Sequence, residues 1–257
     1  RLDHPNLPKV SDYFSIEDRD YLVMDYVPGD DLRTLVSKAA QTGEYLEEEE
    51  VLDWARQIGD ALEYLHNQEP PIVHRDIKPS NLKLTPNGRV KLVDFGLVKL
   101  LAPGEVTITI LQGQGTAIYT PLEQYGGDSL HTDRRADIYA FGATLYHLLT
   151  NQPPVNVRDR FLDPHSLPNP RTINPAISTR VADAILWAMA LHPDDRPADV
   201  SQFIKALTGE TTTSLRNGYS NGSPHRHAKI GTLEQRLIAI AASLGFLTLL
   251  LTLLRNL

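Results

Sequence analysis

The stretch from Asp133 to Thr150 most restricts what this chain can become. It reads as a helix that is apolar nearly all round, carrying Ile138, Tyr139, Phe141, Leu145, Tyr146 and Leu149. A helix at a protein surface keeps a polar face, and one without such a face has to be enclosed. The rest of the chain must therefore supply a lobe around it. A helix over 32–41 and a longer one over about 47–66 are the first candidates. In the second, Val51, Ala55, Ile58, Leu62 and Leu65 recur at helical spacing and form one apolar stripe. The acidic run Glu47 to Glu50 at its start complements the helix dipole and reads as a solvated helix end, not a metal site. Two further helices fit 178–191 and 198–207, with a Pro- and Asn-rich loop over 151–177. Strand signals are fewer. Two short apolar runs flank the turn Glu17-Asp18-Arg19-Asp20, and the second, Tyr21-Leu22-Val23-Met24, reads as a buried strand. Asn81–Leu84 and Val90–Val93 flank Pro86-Asn87-Gly88, a hairpin signature. The class is α+β with helices dominant.

Of the 257 residues, 41% are apolar, enough for a sizeable core, and the net charge of −7 leaves no basic field to draw in nucleic acid. The absence of cysteine removes disulfides, thiolate metal sites and a cysteine nucleophile. The polar opening Arg1-Leu2-Asp3-His4-Pro5-Asn6 is no signal peptide, and a first residue that is not Met suggests part of a longer chain. From Gly209 the composition turns to Thr, Ser, Asn, Gly and His, a linker over 209–235 whose His225-Arg226-His227 reads as solvated. Leu237 to Leu254 then supplies eighteen residues without a charge, about 27 Å of helix at ~1.5 Å per residue. This reads as one transmembrane helix over 236–255. Arg216, Arg226, Lys229 and Arg236 precede it and only Arg255 follows, which favours a cytoplasmic side for everything upstream.

The chemistry is concentrated in Ile72-Val73-His74-Arg75-Asp76-Ile77-Lys78-Pro79-Ser80-Asn81, with Asp94-Phe95-Gly96 beginning thirteen residues after Asn81. The first block reads H-R-D-x-K-P-x-N and resembles the catalytic loop of the protein kinases; the second resembles their magnesium-binding turn. The resemblance implies a protein-kinase-like fold and the cofactors ATP and Mg2+. It implies that Asp76 orients and accepts from the substrate hydroxyl, while Lys78 neutralises the transferring phosphoryl. Asn81 and Asp94 would be the metal ligands, hard oxygen donors suited to magnesium. Asp25-Tyr26-Val27-Pro28-Gly29-Asp30-Asp31-Leu32 resembles a kinase hinge. There the Asp25 carbonyl and Val27 N–H would pair with adenine, Met24 would be the gatekeeper and Asp31 would reach the ribose. The residues alone read as a strand-to-helix turn with Asp30 or Asp31 as N-cap. Lys83 stands where the family usually has an aliphatic residue beneath the base, and its methylene stem can serve there.

Gly113-Gln114-Gly115-Thr116-Ala117-Ile118-Tyr119-Thr120-Pro121-Leu122-Glu123-Gln124 resembles the G-T-x-x-Y-x-A-P-E motif closing the activation segment of bacterial Ser/Thr kinases. Pro121-Leu122 replaces the expected Ala-Pro. Thr116 would bond Asp76 and Lys78, Glu123 would pair with Arg196, and Asp137 would brace the catalytic loop. Thr107 and Thr109 are the expected autophosphorylation sites, for which dimerisation would serve. The resemblance covers residues 1 to about 208, divided into a remnant of the smaller lobe and hinge (1–27) and the helical lobe (28–208). No Gly-rich loop, strand lysine or helix glutamate of the family appears, so the chain from Arg1 is expected to be inactive by itself. The reading is a membrane-anchored bacterial Ser/Thr protein kinase acting on protein substrates in signal transduction. The alternative is a membrane-tethered pseudokinase that docks partners.

Overall fold

A computed structural model describes residues 2–17, 19–94, 117–125 and 133–210. The chain divides into two units, Arg1–Thr212 and Thr213–Leu257. The second unit lies outside the described residues, as do the expected span over 236–255 and nearly all of the expected linker. Among the described residues no helix is long and apolar enough to cross a membrane.

The elements in order are β1 (Val10–Ile16), β2 (Arg19–Met24), α1 (Leu32–Thr42), α2 (Glu48–His66), β3 (Leu82–Leu84), β4 (Val90–Leu92), α3 (Arg134–Thr150), α4 (Val157–Leu162), α5 (Pro170–Ile173), α6 (Thr179–Ala188) and α7 (Val200–Thr208). The apolar helix is α3. Asp133 caps it by accepting from the Arg135 N–H, and every residue from Ala136 to Tyr146 is buried. Helices α1, α2, α5 and α6 pack against it, with the short turn Ala117–Tyr119 on another side. Phe141 meets Phe203 of α7 edge to face, with centroids 5.2 Å apart, the geometry that aromatic quadrupoles favour. At Gly142, an added Cβ would come within 2.8 Å of the Ala188 side chain, so α6 approaches α3 too closely for any larger residue.

Helix α2 presents the expected stripe, with Val51, Ala55, Ile58, Leu62 and Leu65 all buried. Helix α1 begins where Asp31 accepts from Thr34 N at 2.7 Å, so Asp31 rather than Asp30 is the cap. Asp30 instead pairs with Lys38 at 2.6 Å.

Two sequence expectations need correction. Strand β2 forms and pairs antiparallel with β1, but Tyr21, Leu22 and Val23 are 40–42% exposed and Met24 is half-buried, so it is not a buried strand. A two-stranded ribbon has two open faces, and an apolar run carries no information about whether anything lies over them. The loop 151–177 also contains two short helices. Asn156 and Asn169 cap α4 and α5, and Pro170 takes the first position of α5. Helices of six and four residues are too brief for periodicity to reveal, although an Asn cap followed by Pro was a legible start signal.

Candidate active site

Beyond α2 the chain turns over 67–70, continues without regular structure to His74 and then turns through Arg75, whose φ is +67°. A left-handed backbone at a non-glycine residue persists only when its surroundings over-determine it. Those surroundings come from Asp137, which is fully buried on the first turn of α3. Its Oδ2 accepts from His74 N at 2.8 Å, and its Oδ1 from Arg75 N at 2.8 Å. The expected brace is thus present, and it has a third donor that sequence reasoning missed. His66, the last residue of α2, places Nε2 at 2.8 Å from Asp137 Oδ2. An ionised carboxylate only accepts, so the His66 ring donates. The signal was a polar residue ending an otherwise apolar stripe. The His74 ring is wholly enclosed, and burial pulls its pKa below the ordinary histidine value against the opposing pull of Asp137, Asp76 and Asp94.

This brace holds the reactive side chains in one cluster. Asp76 Oδ2 accepts from Lys78 Nζ at 2.8 Å and from Asn81 Nδ2 at 2.9 Å. Asn81 Nδ2 also reaches the Asp76 carbonyl at 2.8 Å. The single turn Pro79–Asn81, started by a proline whose φ suits it, folds Asn81 back over the loop. Among the described residues, the buried Asp76 Oδ1 has no hydrogen-bond partner, a costly state for a carboxylate oxygen. Val93 N donates to the Asn81 carbonyl at 2.8 Å, which brings Asp94 beside the loop, where it is exposed with φ +69°. Asp76, Lys78, Asn81 and Asp94 are therefore brought together. Thr116 lies outside the described residues, as do Phe95, Gly96, Thr107 and Thr109.

The hinge residues form a second group. Asp25 N is held by the Lys9 carbonyl at 2.9 Å. Among the described residues, neither the Asp25 carbonyl nor the Val27 N–H is taken by the backbone, as a base-pairing edge requires. Val27 is buried and Met24 half-buried. Asp31 forms a β-bridge to Lys83, and Leu84 N donates to the Asp30 carbonyl at 2.9 Å. The hinge is thereby stitched to β3, with Lys83 beside it. The Lys83 ammonium lies 6.0 Å from the centre of the exposed Tyr26 ring, so the charge is carried outward on its stem.

Residues 117–125 lie along the helical lobe, and three contacts among the described residues help to hold them there. Glu123 pairs with Arg196, Tyr119 Oη meets His147 Nδ1 at 2.6 Å, and the Arg158 guanidinium stacks 4.2 Å from the centre of the Tyr125 ring. The first was expected. The other two were not, because nothing in a lone His or Tyr marks its partner.

Comparison with known proteins agrees with this geometry. The protein kinase domain family model matches residues 1–208. A probable serine/threonine-protein kinase of Streptomyces coelicolor, SCO3848, is 36% identical over 76% of this chain and 29% of its own length. The tyrosine-protein kinase MasK of Myxococcus xanthus is 34% identical over 80% of this chain and 33% of its own. The serine/threonine-protein kinase PknB of Mycobacterium leprae is 31% identical over 76% and 32%. The chain thus spans about a third of the length of these curated relatives. The crystal structure of the Mycobacterium tuberculosis PknI kinase domain superposes with a TM-score of 0.63 at 27% identity, covering 82% of this chain and 74% of that one. The chain belongs to the protein kinase domain family, and of the three relatives above two carry the name of serine/threonine kinases and one that of a tyrosine kinase.

Proposed function

We propose that the complete protein, through this domain, transfers the γ-phosphoryl of ATP to serine or threonine hydroxyls of proteins. The observation that carries the reading is the pair of inequivalent oxygens on Asp76. Lys78 and Asn81 hold Oδ2, while Oδ1 has no partner among the described residues. A carboxylate fixed in that way can accept a hydroxyl proton on its free oxygen without reorienting. Lys78, on the same carboxylate, brings a positive charge to where phosphoryl charge develops. The hinge edge at Asp25 and Val27, with Met24, Asp31 and Lys83 around it, would receive the adenosine.

The donor set also fits magnesium. Asn81 commits its amide nitrogen to Asp76, which turns its Oδ1 away from that carboxylate, and Asp94 offers an exposed carboxylate next to it. Bound there, the cation would neutralise the nucleotide phosphates and polarise the one that is transferred. The protein's own part is to orient the hydroxyl, take its proton at Asp76 and supply the Lys78 charge.

The uncharged run 237–254 and the basic residues before it support a single span, with the kinase lobe on the cytoplasmic side where ATP is found. In that setting the domain serves signal transduction at the membrane. The test of the chemistry is Asp76→Asn in the complete protein, assayed with radiolabelled ATP on a threonine-containing protein. Turnover should fall by at least about 100-fold with nucleotide affinity little changed. Retention of most of the activity would remove the assignment.

A further inference from the structure

Arg160 is a cation that the phosphoryl-transfer scheme does not use. It stands on α4 three residues after Val157, so the two share one side of the helix. Both are buried, Arg160 to 7% exposure. Nη1 donates to Tyr139 Oη at 3.0 Å, and Nη2 donates to the Met189 carbonyl at 2.9 Å. Among the described residues, Nε has no hydrogen-bond partner. Burying a charge costs desolvation, and an apolar side chain of similar volume often serves stability as well. What the planar fork adds is direction, because it holds two acceptors at fixed angles.

The residue so directed is Tyr139, fully buried on α3 two residues after the brace Asp137. The centre of its ring lies 5.9 Å from the Arg160 guanidinium and 5.0 Å from that of Arg196, both within reach of cation–π attraction. Arg196 in turn holds Glu123 at 2.6 Å. A line of printed contacts therefore runs from α4 through Tyr139 and Arg196 to the end of the 117–125 segment. A second line starts from the same helix. Arg158 stacks 4.2 Å from the centre of the Tyr125 ring, and the Tyr125 hydroxyl donates to the Ala117 carbonyl at 2.8 Å. Ala117 follows directly on Thr116, the expected partner of Asp76 and Lys78.

We infer that Arg160 is a positioning residue for phosphoryl transfer: by fixing Tyr139 beside Arg196 it holds the 117–125 segment in register with the catalytic loop that Asp137 braces from the same helix. The role rests on the reading of the domain as a protein kinase. It acts through Tyr139 and touches neither nucleotide nor acceptor. The hinge residues Asp25 and Val27 take no part in these contacts, so loss of Arg160 slows transfer and leaves nucleotide binding alone. Small misplacements far from the chemistry are enough to slow a reaction that depends on in-line geometry.

The experiment is a double-mutant cycle on turnover. The complete protein is assayed with radiolabelled ATP on a threonine-containing protein, each variant well below its own Tm. The set is wild type, Arg160→Met, Tyr139→Phe, the double variant and Leu162→Ser. Tyr139→Phe removes the oxygen that Arg160 holds and keeps the ring beside Arg196; it deletes one atom, so it carries the test if Arg160→Met does not fold. In Arg160→Met and in Tyr139→Phe, kcat should fall ~10-fold, and the double variant should be no slower than the slower single one. KM for ATP should stay at the wild-type value throughout. Leu162→Ser, at an 82% exposed position of the same helix, should match wild type. Full kcat in either single variant, losses that multiply in the double, a rise in KM for ATP matching the fall in kcat, or an equal loss in Leu162→Ser would each overturn the role. Absence of transfer by the wild type removes the kinase reading and this role with it. Transfer by the wild type together with any of those four results removes the role alone.

Discussion

Arg196 grips Glu123 with both terminal nitrogens, Nη1 to Oε1 at 2.6 Å and Nη2 to Oε2 at 3.1 Å. Its remaining three N–H groups reach the carbonyls of Ala190, Arg135 and Leu191 at 2.8, 3.1 and 2.9 Å. The side chain is wholly buried, and its guanidinium lies 5.0 Å from the centre of the Tyr139 ring. All five donors of the residue are thus satisfied, which is what makes a buried cation tolerable.

That geometry sets the first prediction. Lysine offers three donors on a compact head and cannot reproduce the fork. Arg196→Lys and Glu123→Gln should each lower stability by about 3–5 kcal/mol, the range for breaking one side of a buried ion pair. The double variant should cost clearly less than the sum of the two. Urea denaturation of the four proteins gives the coupling energy, and simple additivity would show that the pair is not a unit.

Asp137 gives a second prediction. Asparagine in its place keeps one carbonyl oxygen, and turns an NH2 group toward the N–H that its lost oxygen served. At least one of the three bonds from His66, His74 and Arg75 must fail, at about 1–3 kcal/mol for an unsatisfied buried group. The loop bearing Asp76 should then lose its fixed turn. Turnover should fall more than stability alone explains, read as kcat measured well below the Tm of the variant.

The pH dependence of stability isolates His147. Its folded pKa lies at about 4, below the ordinary histidine value of 6.5, because burial disfavours the charged form and Arg33 adds to the penalty. The unfolded chain takes up a proton near pH 6.5 and the folded one does not until about 4. Stability from this group is present above pH 6.5 and is lost as pH falls toward 4. His74, also depressed, contributes in the same direction, so the slope will not vanish on removing one ring. His147→Gln should flatten the fall in urea midpoint between pH 6.5 and 4 relative to wild type, and an identical slope would contradict the burial argument.

Much of this could be read from residues alone, for identifiable reasons. The enclosed helix α3, the stripe of α2 and a cap at Asp30 or Asp31 follow from periodicity and cap chemistry, which are local. Asp76, Lys78, Asn81 and Asp94 lie close in sequence, and Asp137 and Glu123–Arg196 came through the family resemblance. What was not legible depended on contacts across the chain. His66 and His147 look like ordinary polar residues at the edge of apolar runs until Asp137 and Tyr119 meet them. Exposure of Tyr21, Leu22 and Val23 depends on what covers β2, about which its apolar run says nothing.

A final prediction concerns how the hinge is held against β3. Gly29 has φ +104°, and a Cβ there would run into the Leu84 carbonyl oxygen, with the Leu84 carbonyl carbon at 3.0 Å and Thr85 Cα at 3.2 Å. These are backbone atoms, so no rotamer change relieves the collision. The same strand edge carries the Leu84 N–H to Asp30 carbonyl bond at 2.9 Å and the Asp31 bridge to Lys83. Gly88 is the matched control: its φ of +77° is also left-handed, yet nothing lies within 4 Å of a Cβ added to it. Gly88→Ala should therefore cost only the left-handed strain of an L-residue, about 1–2 kcal/mol. Gly29→Ala carries that strain and adds about 1–3 kcal/mol of overpacking. Because the added group pushes the hinge off β3, it should also weaken binding of an ATP analogue, which Gly88→Ala should leave alone. Thermal melts and analogue titration by calorimetry on the two variants separate the terms. Equal stability losses, or unchanged analogue affinity in Gly29→Ala, would show that the hinge does not depend on this close approach.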